Sequence, residues 1–232
     1  MHALDNIVWQ ALTTRQTEFA EACGEARRFI PDVTMLGAVR EPNAEGYASL
    51  AGLVSPGGTV LLALGNPFEA VAGWEHVVTV PGLQMIGHED GAMQDRGPNS
   101  AGDTPPLVKL GLSDSPEMLE LATLTKPGPF GTRTYELGNY FGIRSEGKLI
   151  AMAGERMKIP GYTEISAVCT HPEHTGNGHA AALMLKVMEG IRNRGEIPFL
   201  HVRRDNARAI ALYQRLGFRT RTVVYFTVVR KN

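Results

Sequence analysis

The chain has 232 residues, of which 43% are hydrophobic and 20% are charged, and its formal net charge is −1. This composition is typical of a folded protein with one large or two small domains, and it excludes an intrinsically disordered chain. The near-neutral charge argues against broad binding to nucleic acid or other polyanions.

The cysteines and the apolar runs argue against a disulfide-bonded, a secreted or a membrane-spanning protein. The two cysteines, Cys23 and Cys169, provide no disulfide framework, as expected in a reducing cytoplasm. No apolar run approaches the roughly 18 residues that a membrane-spanning helix needs, and residues 1–5 lack the pattern of a signal peptide. We therefore expect a cytoplasmic protein without a nucleic-acid or membrane partner.

Residues 1–102 predict a small α/β domain. Apolar residues at helical spacing indicate a helix over 7–12 and another over 47–54, with Asn43 as a candidate N-cap. A buried strand is expected at Thr59–Leu64, after a Pro-Gly-Gly turn.

Two shorter strand segments, His76–Val80 and Leu83–Ile86, are expected on either side of Pro81-Gly82. The polar stretch from Gly87 to Asp103 predicts a linker or long surface loop. We place a domain boundary near residue 102.

The pattern of residues 103–232 predicts a second domain, with the element order β-α-β-β-β-α-β-α-β. Asp114 or Ser115 is expected to cap the first helix, and Asp205 the last. The strands are expected at 107–110, 140–144, 149–157, 163–170, 198–202 and 221–229.

The stretch from His171 to Leu183 is the most informative one: a polar loop with glycines that leads into an apolar-periodic helix. The amides of a first helical turn have no partner inside the helix, and the helix dipole adds partial positive charge. Gly176 and Gly178 permit positive φ and close approach of a ligand. This pattern indicates a phosphate or pyrophosphate site, although a Gly-rich loop without a ligand remains an alternative.

The same segment fits a relaxed G-x-G-x-x-G/A dinucleotide pattern, with Glu196 as the acidic residue. The context disfavours a nucleotide-binding oxidoreductase, because Glu196 precedes its strand and the loop from Thr170 to Gly176 is long. A P-loop is excluded because no Lys-Ser/Thr pair follows the glycines.

Two segments carry a family resemblance. Val168–Leu183 resembles the acetyl-CoA-binding motif of the GNAT superfamily of N-acetyltransferases. His201–Phe218, with its Asn, Ala-Leu-Tyr and Leu-Gly-Phe, resembles the second diagnostic segment of that superfamily. The resemblance covers roughly residues 105–230.

The resemblance implies an α/β fold with a mixed, mostly antiparallel central sheet whose middle strands splay apart and whose faces are flanked by helices. The layout, with a smaller α/β domain in front, is similar to that of relatives of glycine N-acyltransferase. Residues 1–102 are therefore expected to form a degenerate GNAT-like half, or a lid, that builds the acceptor pocket.

The resemblance also implies the roles of individual residues. Asn206 would hydrogen-bond the cofactor near its thioester, and Tyr213 would protonate the departing thiolate. Thr175 stands where the family usually has Arg or Gln, so one charged phosphate contact is lost, worth about 1–3 kcal/mol. The pantetheine arm would pair with the backbone of Val168, Cys169, Thr170 and His171, and the pyrophosphate would bind the amides of Gly176, Asn177, Gly178, His179, Ala180 and Ala181.

The general base has two candidates. His201 matches a position where enzymes that acetylate the N-terminal alanine of ribosomal proteins have Glu, and histidine titrates in a suitable range. Glu164 lies four residues before Val168 and so on the same strand face. A packed core His and a surface Glu are the alternatives. Cys169 is expected to be a core residue and not a nucleophile, and no spacing indicates a metal site.

The function expected from the resemblance is transfer of an acetyl group from acetyl-CoA to a primary amine by direct attack in a ternary complex. A non-catalytic CoA-binding regulatory module is the alternative. The acceptor stays open among a small amine, an amino acid and a peptide N-terminus, and a homodimer is one option for the oligomeric state.

Overall fold

The computed structural model describes residues 2–88 and 106–232, and within them eleven strands form one sheet. The sheet order is β1-β2-β3-β4-β11-β5-β10-β9-β8-β7-β6. The strands are β1 (Ala20–Cys23), β2 (Ala26–Phe29), β3 (Leu36–Val39), β4 (Thr59–Leu64), β5 (Trp74–Gly87), β6 (Leu107–Leu110), β7 (Tyr140–Ser145), β8 (Lys148–Ile159), β9 (Tyr162–Thr170), β10 (Ile197–Arg203) and β11 (Phe218–Lys231).

Most neighbouring strands are antiparallel, and the parallel pairs among the described strands are β3–β4 and β9–β10. The mixed, mostly antiparallel sheet predicted above is therefore confirmed. The predicted order of elements after residue 105 is also confirmed, although β11 is longer than expected at both ends. No helix in the described ranges is long and apolar enough to cross a membrane.

Five α-helices cover the two faces of the described sheet. The alternation of side chains along β4, β10 and β11 separates the helices into two groups. One face carries α1 (Ile7–Thr13) and α3 (Ser115–Thr125), and the other carries α2 (Ala44–Ala51), α4 (His179–Asn193) and α5 (Ala207–Arg215).

The packing of α4 on the sheet explains why this helix forms where the sequence predicts it. Its apolar stripe is almost completely buried against β8, β9 and β10, and each such side chain contributes about 1.5–3 kcal/mol. The stripe consists of Leu183, Met184, Val187, Met188 and Ile191.

Two sequence predictions about local structure are wrong. Two strands were expected on either side of Pro81-Gly82, but β5 is one continuous strand. Proline is tolerated there because the pairing of β5 with β10 ends at Gly82, so that no amide is needed from Pro81 for it. The N-cap of α5 is Asn206, whose side chain accepts from the Ala209 amide, whereas Asp205 forms an ion pair with Arg203.

The boundary predicted near residue 102 and the linker from residue 89 onward lie outside the described residues. β5 belongs to the N-terminal side of that boundary, yet it is hydrogen-bonded between β10 and β11. The two predicted domains thus contribute strands to a common sheet, and this arrangement brings N-terminal side chains close to the strands of the GNAT-like motif.

Candidate functional site

The site is organised around the divergence of β9 and β10. These strands pair in parallel from Tyr162 to Ile165 on β9, and the pairing then ends although both strands continue. A bulge in β9 follows at once: Ala167 has a φ of 53°, and the register with β8 shifts at this point. A bulge bends its strand and redirects backbone groups. The splayed middle strands are thereby confirmed, and we call the opening between them the strand gap.

The loop before α4 has the geometry of an anion site. Gly176 and Gly178 both have positive φ, 92° and 76°, and no atom within 4 Å would meet a Cβ at either position. The first helical hydrogen bond runs from the Ala182 amide to the Gly178 carbonyl. The amides of His179, Ala180 and Ala181 therefore have no helical acceptor. This open cradle of donors fits a pyrophosphate.

His179 adds a polar atom to the same helix start. Its side chain is buried, and within the described residues Nδ1 has no hydrogen-bond partner. Burial lowers the pKa of His179, with a smaller contribution from His174. A neutral ring beside the cradle leaves the backbone amides and the helix dipole as the main attraction for an anion.

Thr175 does not replace the charged residue of the family motif. Its hydroxyl is exposed and donates to the Pro172 carbonyl at 3.1 Å. The neighbouring His171 has both backbone groups engaged, its amide with Ile150 and its carbonyl with the His174 amide. The backbone of His171 is thus already hydrogen-bonded within the protein, and the pairing of the pantetheine arm with Val168 to His171 stays a prediction.

Tyr213 and Asn206 both belong to α5 and its N-cap, and of the two only Tyr213 lines the cavity at the strand gap. Tyr213 is 7% exposed, lines the cavity described below, and has a pKa that burial raises to about 12. The Asn206 carbonyl caps α5 through the Ala209 amide at 3.1 Å, and the residue is otherwise exposed. A protonated phenol at the gap has the form that a general acid needs.

Glu164 and His201 lie on the other face of the sheet, in a buried polar cluster. Glu164 is completely buried and forms a bidentate ion pair with Arg156, at 2.8 and 2.7 Å. Its Oε1 is also 2.7 Å from His201 Nδ1. Burial alone would raise the pKa of Glu164, but the guanidinium and the imidazole outweigh it and lower the pKa to about 2. Such a carboxylate is a weak base.

Gln84 determines which nitrogen of His201 carries a proton. The Gln84 oxygen accepts from Arg221, and its amide nitrogen donates to the Leu4 carbonyl, so the orientation of the amide is set. The same nitrogen is 3.0 Å from His201 Nε2 and must be the donor there. His201 therefore has its proton on Nδ1, toward Glu164, and its lone pair on Nε2.

Arg156, Gln84 and Arg221 also belong to this cluster, and none of them was predicted from the sequence. The available signal was a polar residue inside an otherwise apolar strand: Arg156 in β8 and Gln84 in β5. Pairing between β5 and β10 places Gln84 directly opposite His201. This contact depends on the sheet order and is not visible along the chain.

A cavity of about 270 Å³ lies at the strand gap. Its walls join the residues of the gap to aliphatic side chains from the N-terminal strands and from β11. Tyr213 and His201 both line it, as do Ile165 to Val168 and the loop Lys126–Pro129. A reactant in this cavity could therefore meet the predicted acid and the predicted base.

Two other predictions concern reactive side chains. Cys169 is buried between α3 and the sheet, and burial raises its pKa to about 11, as expected of a core residue. In the described ranges no cluster of His, Cys, Asp and Glu has the arrangement of a metal site.

Comparison with known proteins gives the following matches. The family of FR47-like proteins matches residues 140–227. A crystal structure of an acetyltransferase of the GNAT family from Novosphingobium aromaticivorans is 39% identical, with each chain covered over 100% of its length and a TM-score of 0.88. A GCN5-related N-acetyltransferase from Kribbella flavida is 17% identical, with a TM-score of 0.62 over 97% of this chain and 93% of that one.

Among curated proteins, the N-alpha-acetyltransferase RimI of Mycobacterium tuberculosis is 34% identical over 83 residues. That match covers 34% of this chain and 51% of RimI, so the chain spans about half the length of this relative.

Proposed function

The chain belongs to the GNAT family of acetyltransferases, and on that premise we propose that it transfers an acetyl group from acetyl-CoA to a primary amine in a ternary complex. The observation that carries the proposal is the cavity at the strand gap, which both Tyr213 and His201 line. The glycine-bearing start of α4 fits the pyrophosphate of the same co-substrate.

The thioester of acetyl-CoA is already activated, so the protein has to position the amine, remove a proton and stabilise charge. We assign the gap-facing backbone of Val168–Thr170 to the pantetheine arm and the amides of Gly176–Ala181 to the pyrophosphate. Asn206 would contact the cofactor near its thioester, through the side-chain nitrogen that capping leaves available.

His201 is the better candidate for the base. Its Nε2 lone pair can accept the proton of the amine once the Gln84 donor moves away from it. Glu164 then lies 2.7 Å from Nδ1, where its negative charge stabilises the imidazolium that forms. We therefore assign Glu164 as a positioning residue, held ionised by Arg156, and not as the base.

Tyr213 is the proposed acid for the departing thiolate. Its high pKa keeps the phenol protonated at neutral pH, and its place in the lining of the cavity supports this role. Tyr213→Phe should reduce kcat by roughly 10²-fold, because general acid catalysis contributes about 10²–10⁴-fold. A free-thiol release assay measures the loss, and calorimetry with acetyl-CoA should show unchanged binding.

Tyr225→Phe is the matched control, since Tyr225 lies on β11 and does not line the cavity. Full activity of Tyr213→Phe would contradict the assigned role. Tight binding of acetyl-CoA without turnover of any amine would instead favour a CoA-binding regulatory module, the alternative that the missing phosphate contact at Thr175 supports.

The acceptor is a separate question. RimI of Mycobacterium tuberculosis is named an N-alpha-acetyltransferase, which favours an α-amine acceptor here as well. We also propose that residues 1–102, as a degenerate GNAT-like half, build the acceptor side of the cavity. Four N-terminal side chains support this, because they line the cavity from β3, β4 and β5: Leu36, Leu61, Val78 and Val80.

A further inference from the structure

The acceptor side of the gap cavity has an unusual combination of walls. Its surface is aliphatic and aromatic. The residues come from β3, β4, β11 and β5, which lie on the side of β10 opposite to β9. Burial of one apolar side chain of an acceptor against such walls favours binding. The wall residues are Leu36, Leu61, Val78, Val80, Phe226 and Val228.

The cavity is lined by basic side chains and, among the described residues, by no acidic one. Among the described residues, the ionisable lining groups other than Tyr213 are Lys126, Arg156, His201 and Arg203, and no Asp or Glu lines it. Glu164 is fully buried behind Arg156 and His201. A polyamine or a lysine side chain with a second positive charge would find no carboxylate here, whereas a negative group would find donors.

Arg156 offers the most specific donor. Its Nε and Nη2 are engaged by Glu164, and within the described ranges Nη1 has no protein acceptor. Nη1 lies beside Gly128, 3.9 Å from where a Cβ of that residue would be. The absence of a side chain at Gly128 leaves this nitrogen open toward the Lys126–Pro129 loop that lines the same cavity.

From this combination we propose that the acceptor is a free α-amino acid with an apolar side chain, whose carboxylate is bound by Arg156 and Lys126. The inference rests on the proposed acetyl transfer and names the substrate class of that same site. The cavity of about 270 Å³ is at the small end for ligand pockets, which begin at about 300 Å³, and so suits a single amino acid.

A panel of amines in the thiol-release assay tests the substrate class. We expect kcat/KM for leucine or phenylalanine to exceed at least tenfold that for isoamylamine or phenethylamine, which lack the carboxylate, and that for spermidine. Equal or faster turnover of these amines would overturn the proposal. A preference for leucinamide or Leu-Gly-Gly would overturn it in favour of a peptide N-terminus.

Val78 and Val77 provide a matched pair of variants on β5. They are similarly exposed, 45% and 40%, but only Val78 lines the cavity. Val78→Glu should raise KM for leucine at least tenfold, because it puts a charged group into the apolar wall that the leucine side chain would contact, and Val77→Glu should leave KM unchanged. Equal KM values for the two variants would contradict the proposed site.

Binding measurements separate this inference from the proposed function. If no amine is turned over, the proposed transfer fails. Calorimetry still decides the acceptor class, by comparing the binding of leucine to the protein with that of isoamylamine in the presence of CoA. Tighter binding of leucine to the wild type and weaker binding to Val78→Glu would support the inference. Equal binding of the two compounds would overturn it.

Discussion

At the scale of single residues, the buried ion pair between Glu164 and Arg156 dominates the site. Both side chains are nearly inaccessible, 0% and 7% exposed. Removing one partner of such a pair leaves the other charge buried and unpaired, which costs about 3–5 kcal/mol. The pair therefore couples the stability of the fold to the geometry of His201.

Glu164→Gln should lower the free energy of unfolding by about 3 kcal/mol at pH 7, measured by urea denaturation. The low pKa, about 2, means that Glu164 contributes its stability above the unfolded value of about 4.3. This contribution is lost as the pH falls toward 2, so the difference between variant and wild type should shrink below about pH 4.3.

Glu189→Gln is the control for that variant. Glu189 forms an exposed pair with Lys186, and its loss should cost less than about 1 kcal/mol at any pH. Equal effects of the two substitutions would contradict the role assigned to the buried pair.

Gln84→Glu tests the proton assignment on His201. A second carboxylate beside Nε2 favours the protonated ring, because the positive charge of the imidazolium is attracted to it. The base would then be free only at higher pH, so the acidic limb of the kcat/KM profile should move upward. The Leu4 carbonyl loses its donor in this variant, so a melting curve must accompany the profile.

Gln214→Glu makes the same chemical change at an exposed position of α5. Its pH profile should match that of the wild type. If the acidic limb of Gln84→Glu also stays in place, His201 is not the base.

At the scale of secondary-structure elements, β9 pairs with β10 and then separates from it within nine residues. Its first half is held in the sheet by β8 and β10, and its second half opens toward the gap. The residue at the transition, Ala167, is 5% exposed and has a φ that β-branched residues avoid. The site thus depends on a strained backbone position inside a strand.

Ala167→Val should destabilise the protein by about 2 kcal/mol, because added volume in a packed position costs about 1–3 kcal/mol and a β-branched side chain adds to the strain that Ala already carries at this φ. The activity should fall with it, since the bulge directs the backbone of Val168. Ala167→Gly tolerates the same φ and should keep both stability and activity. Thermal melting and thiol release measure the two effects, and a fully active Val variant would contradict this role for the bulge.

At the scale of the whole molecule, β5 and β11 connect the two predicted domains. β5 supplies Gln84 and two residues that line the cavity, Val78 and Val80. It pairs with β10 and β11 over much of its length. β11 in turn pairs with β4. A fragment that lacks residues 1–105 would lose β4 and β5 and expose the edges of β10 and β11 to association with other chains.

Expression of residues 106–232 alone should therefore give an aggregating or inactive fragment. Co-expression with residues 1–105 should restore solubility and thiol release, because the missing strands and cavity walls return. Light scattering and the activity assay check the two outcomes. A soluble, fully active fragment would show that the N-terminal residues do not build the acceptor site.

The same three scales show how far the sequence could predict the protein. Local signals were sufficient for α1, α2, α4 and the hairpin of β7 and β8, because periodicity, caps and turn residues act between near neighbours. The short strands β1 to β3 were missed, since their sequences show little alternation of apolar and polar residues.

The two motifs and their apolar stripes are contiguous along the chain, so they were enough to identify the family and to predict the order of elements in the second half. The ion pair of Glu164 with Arg156, the contact of Gln84 with His201 and the N-terminal side chains that line the cavity are visible only in the folded protein. The contact between Gln84 and His201 alone joins residues 117 positions apart. These contacts depend on sheet order and strand register, which long-range packing sets and local sequence does not encode.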